Sequence, residues 1–139
     1  MTYILGLDVG SKTIGVAKIS VENEITTPVL TLKRQSVKKD VARIQQMCVE
    51  MVVTEIVVGL PIQLDGQEGR SARLARQIGS GLEEQNLTVY YQDERFSTVE
   101  AQQRMIEAGK SASKRKKSID AAAACVILEH FLLSRKLKK

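Results

Sequence analysis

The chain has 139 residues, 43% of them hydrophobic, with a formal net charge of +5 and a pI of about 9.3. That length fits a single domain over 1–139, and that apolar share supplies a core, which excludes a wholly disordered chain. The basic balance favours a polyanionic partner, most simply nucleic acid; a charge that serves solubility alone is the duller reading.

The first elements are strands. Tyr3 to Asp8 reads as an apolar strand ending in an acid, followed by a tight glycine-bearing turn and a second strand from Thr13 to Ser20. Ile25 to Lys33 reads as a third strand, with Pro28 marking an edge or an irregularity. Short connections make these three antiparallel neighbours. From Val37 the period changes: Val41, Ile44, Met47, Cys48, Met51 and Val52 recur at helical spacing. Glu55 to Leu60 is a short apolar run closed by Pro61, suited to a strand covered on both faces. A polar loop over 63–70 leads to a second helix through Leu74, Ala75, Ile78 and Leu82, weakened by Gly79 and Gly81. Leu87 to Tyr91 is a fifth strand, running into Gln92-Asp93-Glu94-Arg95.

Ser97 and Glu100 have capping-box spacing and predict a helix that Gly109 stops. Lys110 to Lys117 reads as a basic loop, and Ser118 as the cap of a last helix through Ile119, Ala122, Ala123, Val126, Ile127 and Phe131. The layout is α/β: a five-stranded mixed sheet, three antiparallel strands and then two parallel ones, with helices on both faces. Cys48 and Cys125 sit in apolar helical patterns and read as buried thiols of a reducing compartment. No apolar run approaches the about 20 residues of a membrane helix, and Met1-Thr2-Tyr3 lacks signal-peptide character, so a cytoplasmic protein with no membrane partner is expected.

Ligands of such sheets bind beyond the carboxyl ends of the parallel strands, where Asp8 and Glu94 fall. Asp120, in the first turn of the last helix, is the third candidate acid. Magnesium takes oxygen ligands and keeps several waters, so a few carboxylates and a substrate phosphate suffice. Each acid also has a plainer explanation: turn chemistry for Asp8, a solvated ion pair for Glu94, the helix dipole for Asp120. Lys114, Arg115, Lys116 and Lys117 directly precede Asp120 and are suited to holding a phosphate backbone. His130 reads as a structural histidine rather than a catalytic one.

Four stretches then resemble one family. Asp8 to Ala17 is similar to the opening motif of the YqgF family, also called RuvX-like. Gly59-Leu60-Pro61 with Asp65-Gly66, Asp93 to Thr98, and Lys114 to Asp120 with Ala123-Ala124 resemble its second, third and fourth motifs. The resemblance spans nearly the whole chain in order. It implies an RNase H-like fold and a cytoplasmic nuclease using Mg²⁺ or Mn²⁺, with Asp8, Glu94 and Asp120 as catalytic metal ligands. It implies pre-16S rRNA as substrate, matured at its 5′ end; the family's older label implies Holliday junction resolution on branched DNA. Lys12, Arg95 and Lys114 to Lys117 are the expected backbone contacts, in a monomer or homodimer. Thr13 departs from the family, which often has a basic residue there. Asp93, as strand neighbour of Glu94, is expected to point away from the site. The rival classes are a junction-cleaving DNA enzyme, an ATPase of the actin and sugar-kinase type, and a non-catalytic RNA-binding factor.

Overall fold

The computed structural model describes residues 2–63, 65–94 and 112–137, with side chains outside the description at 112–120, 136 and 137. The strands are β1 (Tyr3–Val9), β2 (Thr13–Ser20), β3 (Thr26–Lys33), β4 (Glu55–Leu60) and β5 (Thr88–Asp93). The helices are α1 (Val37–Met51), α2 (Arg70–Glu83) and α3 (Ala112–Leu137). The strands form one sheet in the order β3-β2-β1-β4-β5. β1 with β2 and β2 with β3 are antiparallel, whereas β1 with β4 and β4 with β5 are parallel. This is the expected mixed sheet. β3 is an edge, and its register shifts between Val16 and Ala17, which face Leu30 and Pro28. Val29 is therefore an extra residue, and the proline sits where a missing N–H is tolerated.

Alternation along the strands builds two cores. Leu5, Leu7, Val9, Ile14, Val16, Ile56, Val58 and Leu60 face one way, against Val41, Ile44 and Cys48 of α1 and Ala72, Ala75, Ile78 and Leu82 of α2. Ile4, Ala17, Ile19 and Val57 face the other way, against Ala124, Cys125, Ile127 and Leu128 of α3. Each buried Ile or Leu contributes roughly 1.5–3 kcal/mol relative to an exposed one. Both cysteines are buried and outside any disulfide, and burial pushes the Cys48 thiol up to about 11. No helix among the described residues is long and apolar enough to cross a membrane.

Helix α3 lies unusually close to the sheet because two strand positions lack a side chain. A Cβ at Gly6 would stand 2.5 Å from Leu128 Cγ and 3.0 Å from the Ala124 carbonyl oxygen, and one at Gly59 would overlap Ile127. Gly79 and Gly81, expected only to weaken α2, are where Tyr91 and Val41 press against that helix. Their propensity cost is offset by close packing.

β5 runs two residues past Tyr91, to Asp93, and two further boundaries that bear on the site differ from the sequence reading. β1 continues through Val9, so Asp8 is held inside a strand rather than at its last residue. Helix α3 begins at Ala112, so Lys114 to Lys117 belong to a helix and not to a loop, and Ser118 is not a cap. The run Ala112 to Ser118 contains no Gly or Pro and is rich in Lys and Arg, good helix formers, so nothing in it stops the helix from extending. The helix predicted from Ser97 lies outside the described residues.

Gly6→Ala is expected to lower the unfolding free energy by about 1–3 kcal/mol, because the Leu128 Cγ and the backbone of α3 must move. Urea denaturation of the two proteins checks this.

Candidate active site

Asp8 and Glu94 reach the same face of the sheet by different routes. Asp8 shares the parity of Ile4, which packs under α3. On β2 it is opposite Gly15. On β4 the parallel ladder sets Leu7 level with Val58, so the next step brings Asp8 level with Gly59. The half-buried Asp8 carboxylate is thus flanked by glycine on both neighbouring strands. Glu94 follows β5 directly, and its N–H donates to the Leu60 carbonyl at 3.0 Å, which extends the ladder by one bond. Tyr90, two steps of alternation earlier, packs toward α3, so Glu94 has the same direction. The exposed Asp93 has the parity of Val89 and Tyr91, which pack on the α1 and α2 side. It points away from the site, as expected.

Glu94 is only 5% exposed. Its two carboxylate oxygens lie 2.8 and 2.9 Å from Nδ1 of His130 on α3. An ionised carboxylate only accepts, so Nδ1 is the donor, and the ring fixes the orientation of the acid. The sequence reading treated His130 as structural and missed this contact. A signal was available: His130 is three residues past Ile127, on the helix face that meets β4 and β5.

Helix α3 runs antiparallel to β1. Ala124 and Leu128 sit over Gly6, and Glu129 reaches Thr26, at the level where β1 starts, at 3.5 Å. The helical turn that contains Asp120, one turn before Ala124, therefore lies toward the carboxyl end of β1. The Asp120 side chain lies outside the description, as do Arg95 and the side chains of Lys114, Arg115, Lys116 and Lys117. Among the described residues no three His, Cys, Asp or Glu side chains form a metal-holding group. The chemistry of the donor set nonetheless fits a hard divalent cation. It consists of carboxylate oxygens from separate elements, one of them buried and oriented, at the open end of a sheet.

The turn after Asp8 is held by a second buried pair that the sequence reading did not single out. The Gly10 N–H donates to the Thr13 carbonyl, and the Arg34 N–H to that of Lys12, each at 2.8 Å. The Arg34 side chain donates from Nη1 to the Gly10 carbonyl at 3.4 Å and from Nε to Asp40 Oδ2 at 3.0 Å. Asp40 Oδ1 takes the Gln35 N–H at 3.1 Å, and the Asp40 side chain is 1% exposed. Lys12 stands exposed at the tip of this turn. On the same end of the sheet, the loop after β4 turns at Gly66, whose φ is +87°, with Asp65 Oδ1 accepting the Gln67 N–H at 2.9 Å. Glu68 ties it to α2 through two 2.6 Å bonds from Arg76.

A family model described as RuvX, Holliday junction resolvase, matches residues 2–134. A Clostridium beijerinckii protein named "Putative pre-16S rRNA nuclease" is 42% identical over 136 residues, covering 96% of this chain and 99% of that protein. One of the same name from Thermoanaerobacter pseudethanolicus is 43% identical over 137 residues, covering 97% and 99%. Among solved structures, T. thermophilus RuvC in complex with Holliday junction substrate superposes with a TM-score of 0.59 at 18% identity, over 98% of this chain and 96% of that one. The fowlpox virus Holliday junction resolvase gives 0.61 at 14% identity, over 96% and 99%. At such identity these two similarities establish the fold alone, the expected RNase H-like one.

Removing Asp40 leaves the Arg34 guanidinium, itself 11% exposed, buried beside Gly10 without its counter-charge. Asp40→Ala is expected to cost about 3–5 kcal/mol, and Arg34→Leu combined with Asp40→Leu appreciably less. A double-mutant cycle in urea measures both, and amide exchange at Gly10 reads the loosened turn.

Proposed function

We propose that this chain, which belongs to the RuvX family of Holliday junction resolvases, is a divalent-metal-dependent nuclease that processes the 5′ end of pre-16S rRNA. The observation that carries this reading is the joint placement of Asp8 and Glu94 on one face and one end of the sheet, with Glu94 buried and oriented by His130. The names of full-length relatives at 42% and 43% identity supply the substrate. The protein is read as cytoplasmic, with no membrane partner, acting as a monomer or homodimer.

Asp8, Glu94 and Asp120 would hold Mg²⁺ or Mn²⁺. When bound there, such an ion supplies charge neutralisation at the phosphate and a more acidic water. The rest is positioning by the chain. β1 fixes the Asp8 backbone between two strands, and the flanking glycines Gly15 and Gly59 leave its level uncrowded. The His130 N–H restricts Glu94 to one orientation, so little is lost in ordering it at the moment of reaction. Lys12, Arg95, Lys114, Arg115, Lys116 and Lys117 contact the phosphate backbone, which positions a strand without reading its sequence. Water attacks phosphorus in line, the 3′ oxygen leaves, and the product carries a 5′-phosphate.

The family's description favours a second substrate, four-way DNA. Parallel cleavage of a 16S precursor fragment and of a four-way junction separates the two, and preferential cutting of the junction would reverse the assignment.

Asp8→Asn is expected to reduce cleavage of the precursor fragment to background while leaving RNA binding and the melting curve close to those of the parent. An active Asp8→Asn protein would refute the acid's role. His130→Ala is expected to weaken Mn²⁺ binding by about 10–100-fold, read by titration calorimetry. His130→Asn, whose amide nitrogen stands near the position of Nδ1, is expected to recover most of that loss; a purely structural histidine would leave Mn²⁺ affinity unmoved.

A further inference from the structure

Beyond the acids, the same face of β5 carries a second cluster that the proposed chemistry does not use. Tyr90, Gln92 and Glu94 alternate toward α3. The Tyr90 and Phe131 rings meet at 5.1 Å with 43° between their planes. The Arg135 guanidinium stands over both, 5.9 Å from the Tyr90 centroid and 5.7 Å from that of Phe131. Tyr90 Oη donates to Glu55 at 3.0 Å, which fixes the ring. Beside them is a cavity of about 260 Å³ lined by Tyr90, Tyr91, Gln92, Phe131, Ser134 and Arg135.

Tyr90 and Phe131 have a structural duty, since both pack against the α3 core. That duty does not account for the rest. A closed aromatic cap would leave no cavity, and a guanidinium held for solubility would extend into water rather than lie across two rings. The combination of flat apolar walls, a planar cation, an amide and a hydroxyl fits a ligand with a π-face and a polar edge. The volume falls just below the about 300 Å³ at which drug-sized pockets begin, so it suits one ring system and not a whole nucleotide.

We infer that this cavity is a subsite for one unpaired nucleobase of a single-stranded RNA, stacked against the Tyr90–Phe131–Arg135 cluster, with Gln92 and Ser134 on its edge. The inference rests on the nuclease reading above and deepens it. Four residues of strand separate Tyr90 from Glu94, about 13 Å. A strand whose backbone lies at the acids would thus place a neighbouring base, and not the base at the scissile phosphate, in the cavity. β5 is the edge of the described sheet, so a strand can lie along it. Stacking tolerates any base, because each has a π-face; the subsite would select for single-strandedness rather than sequence. A base held in a duplex is already stacked and paired and cannot enter.

The test is a binding scan with the full chain in EDTA, where no cutting occurs. A short single-stranded RNA is made with one abasic position at each site in turn. One position is expected to bind about tenfold more weakly than the intact strand, its neighbours much less so. Phe131→Leu, which keeps the apolar packing, and Arg135→Gln, at an exposed position, are each expected to weaken the intact strand by a similar factor and to flatten the scan. Neither should change binding of a fully paired RNA duplex. Should Phe131→Leu melt early, Arg135→Gln alone carries the comparison. A flat scan in the parent protein, or equal losses on duplex and single strand, would overturn the subsite and leave only backbone contact. A protein that shows the dip yet never cuts with Mn²⁺ present refutes the nuclease reading alone, and one that cuts with a flat scan refutes the subsite alone.

Discussion

The close seat of α3 on a glycine floor governs the rest of the molecule. Gly6 and Gly59 remove the two side chains that would hold the helix off β1 and β4, and Leu128 and Ile127 occupy the space. Because the helix runs antiparallel to β1, this contact sets more than a core. It fixes which α3 residues stand over each level of the sheet. His130 reaches Glu94 only because Ile127, one turn earlier, is pressed against Gly59. A helix lifted by one methyl layer would still bury apolar area, yet it would place its polar residues at a different height above the acids. Stability and site geometry thus share the same contacts.

The acids impose an electrostatic constraint that the fold meets in two ways. Glu94 and Asp40 are both nearly inaccessible carboxylates, and each has a nitrogen donor at close range. Asp40 is engaged on both oxygens, by Arg34 and by the Gln35 N–H, and its role ends at bracing the turn after Asp8. Nδ1 of His130 sits between the two oxygens of Glu94 and orients that carboxylate from the helix side. One buried acid therefore braces a turn, and the other is aimed from α3 at the open end of the sheet.

Much of this was legible in the chain. Apolar runs on either side of a glycine-bearing turn located β1 and β2, the run from Glu55 to Leu60 located β4 to the residue, and the change of period at Val37 located α1. Pro28 announced the irregular edge strand. What failed was punctuation near Ser118. A serine before an apolar run is read as a cap, but the residues before it form helix well, and only tertiary context decides between capping and continuation. The glycines of α2 failed in a related way, because propensity records their cost and not the neighbour that needs the space. The site was half legible. Asp8 lies one residue inside the end of β1 and Glu94 one residue past β5, close enough to strand ends for pattern alone to find them. The contacts of His130 with Glu94 and of Arg34 with Asp40 join residues whose proximity depends on how the elements cross; the spacing of His130 from Ile127 marks its helix face but does not name its partner.

The two edges of the sheet carry different chemistry, and this bears on what can approach the site. β3 is blunted by Pro28 and by the extra residue at Val29, devices that discourage another strand from pairing there. β5 has no such device along its six residues. It carries tyrosines at Tyr90 and Tyr91, each with an arginine over its ring, Arg135 and Arg76 respectively. An edge flanked by guanidinium and aromatic surface repels neither a polyanion nor a flat base. Glu94 terminates this edge. In the inferred subsite, a single strand that lies along β5 reaches Glu94 from the side of Tyr90, so the geometry of the edge gives the approach to the acids a direction.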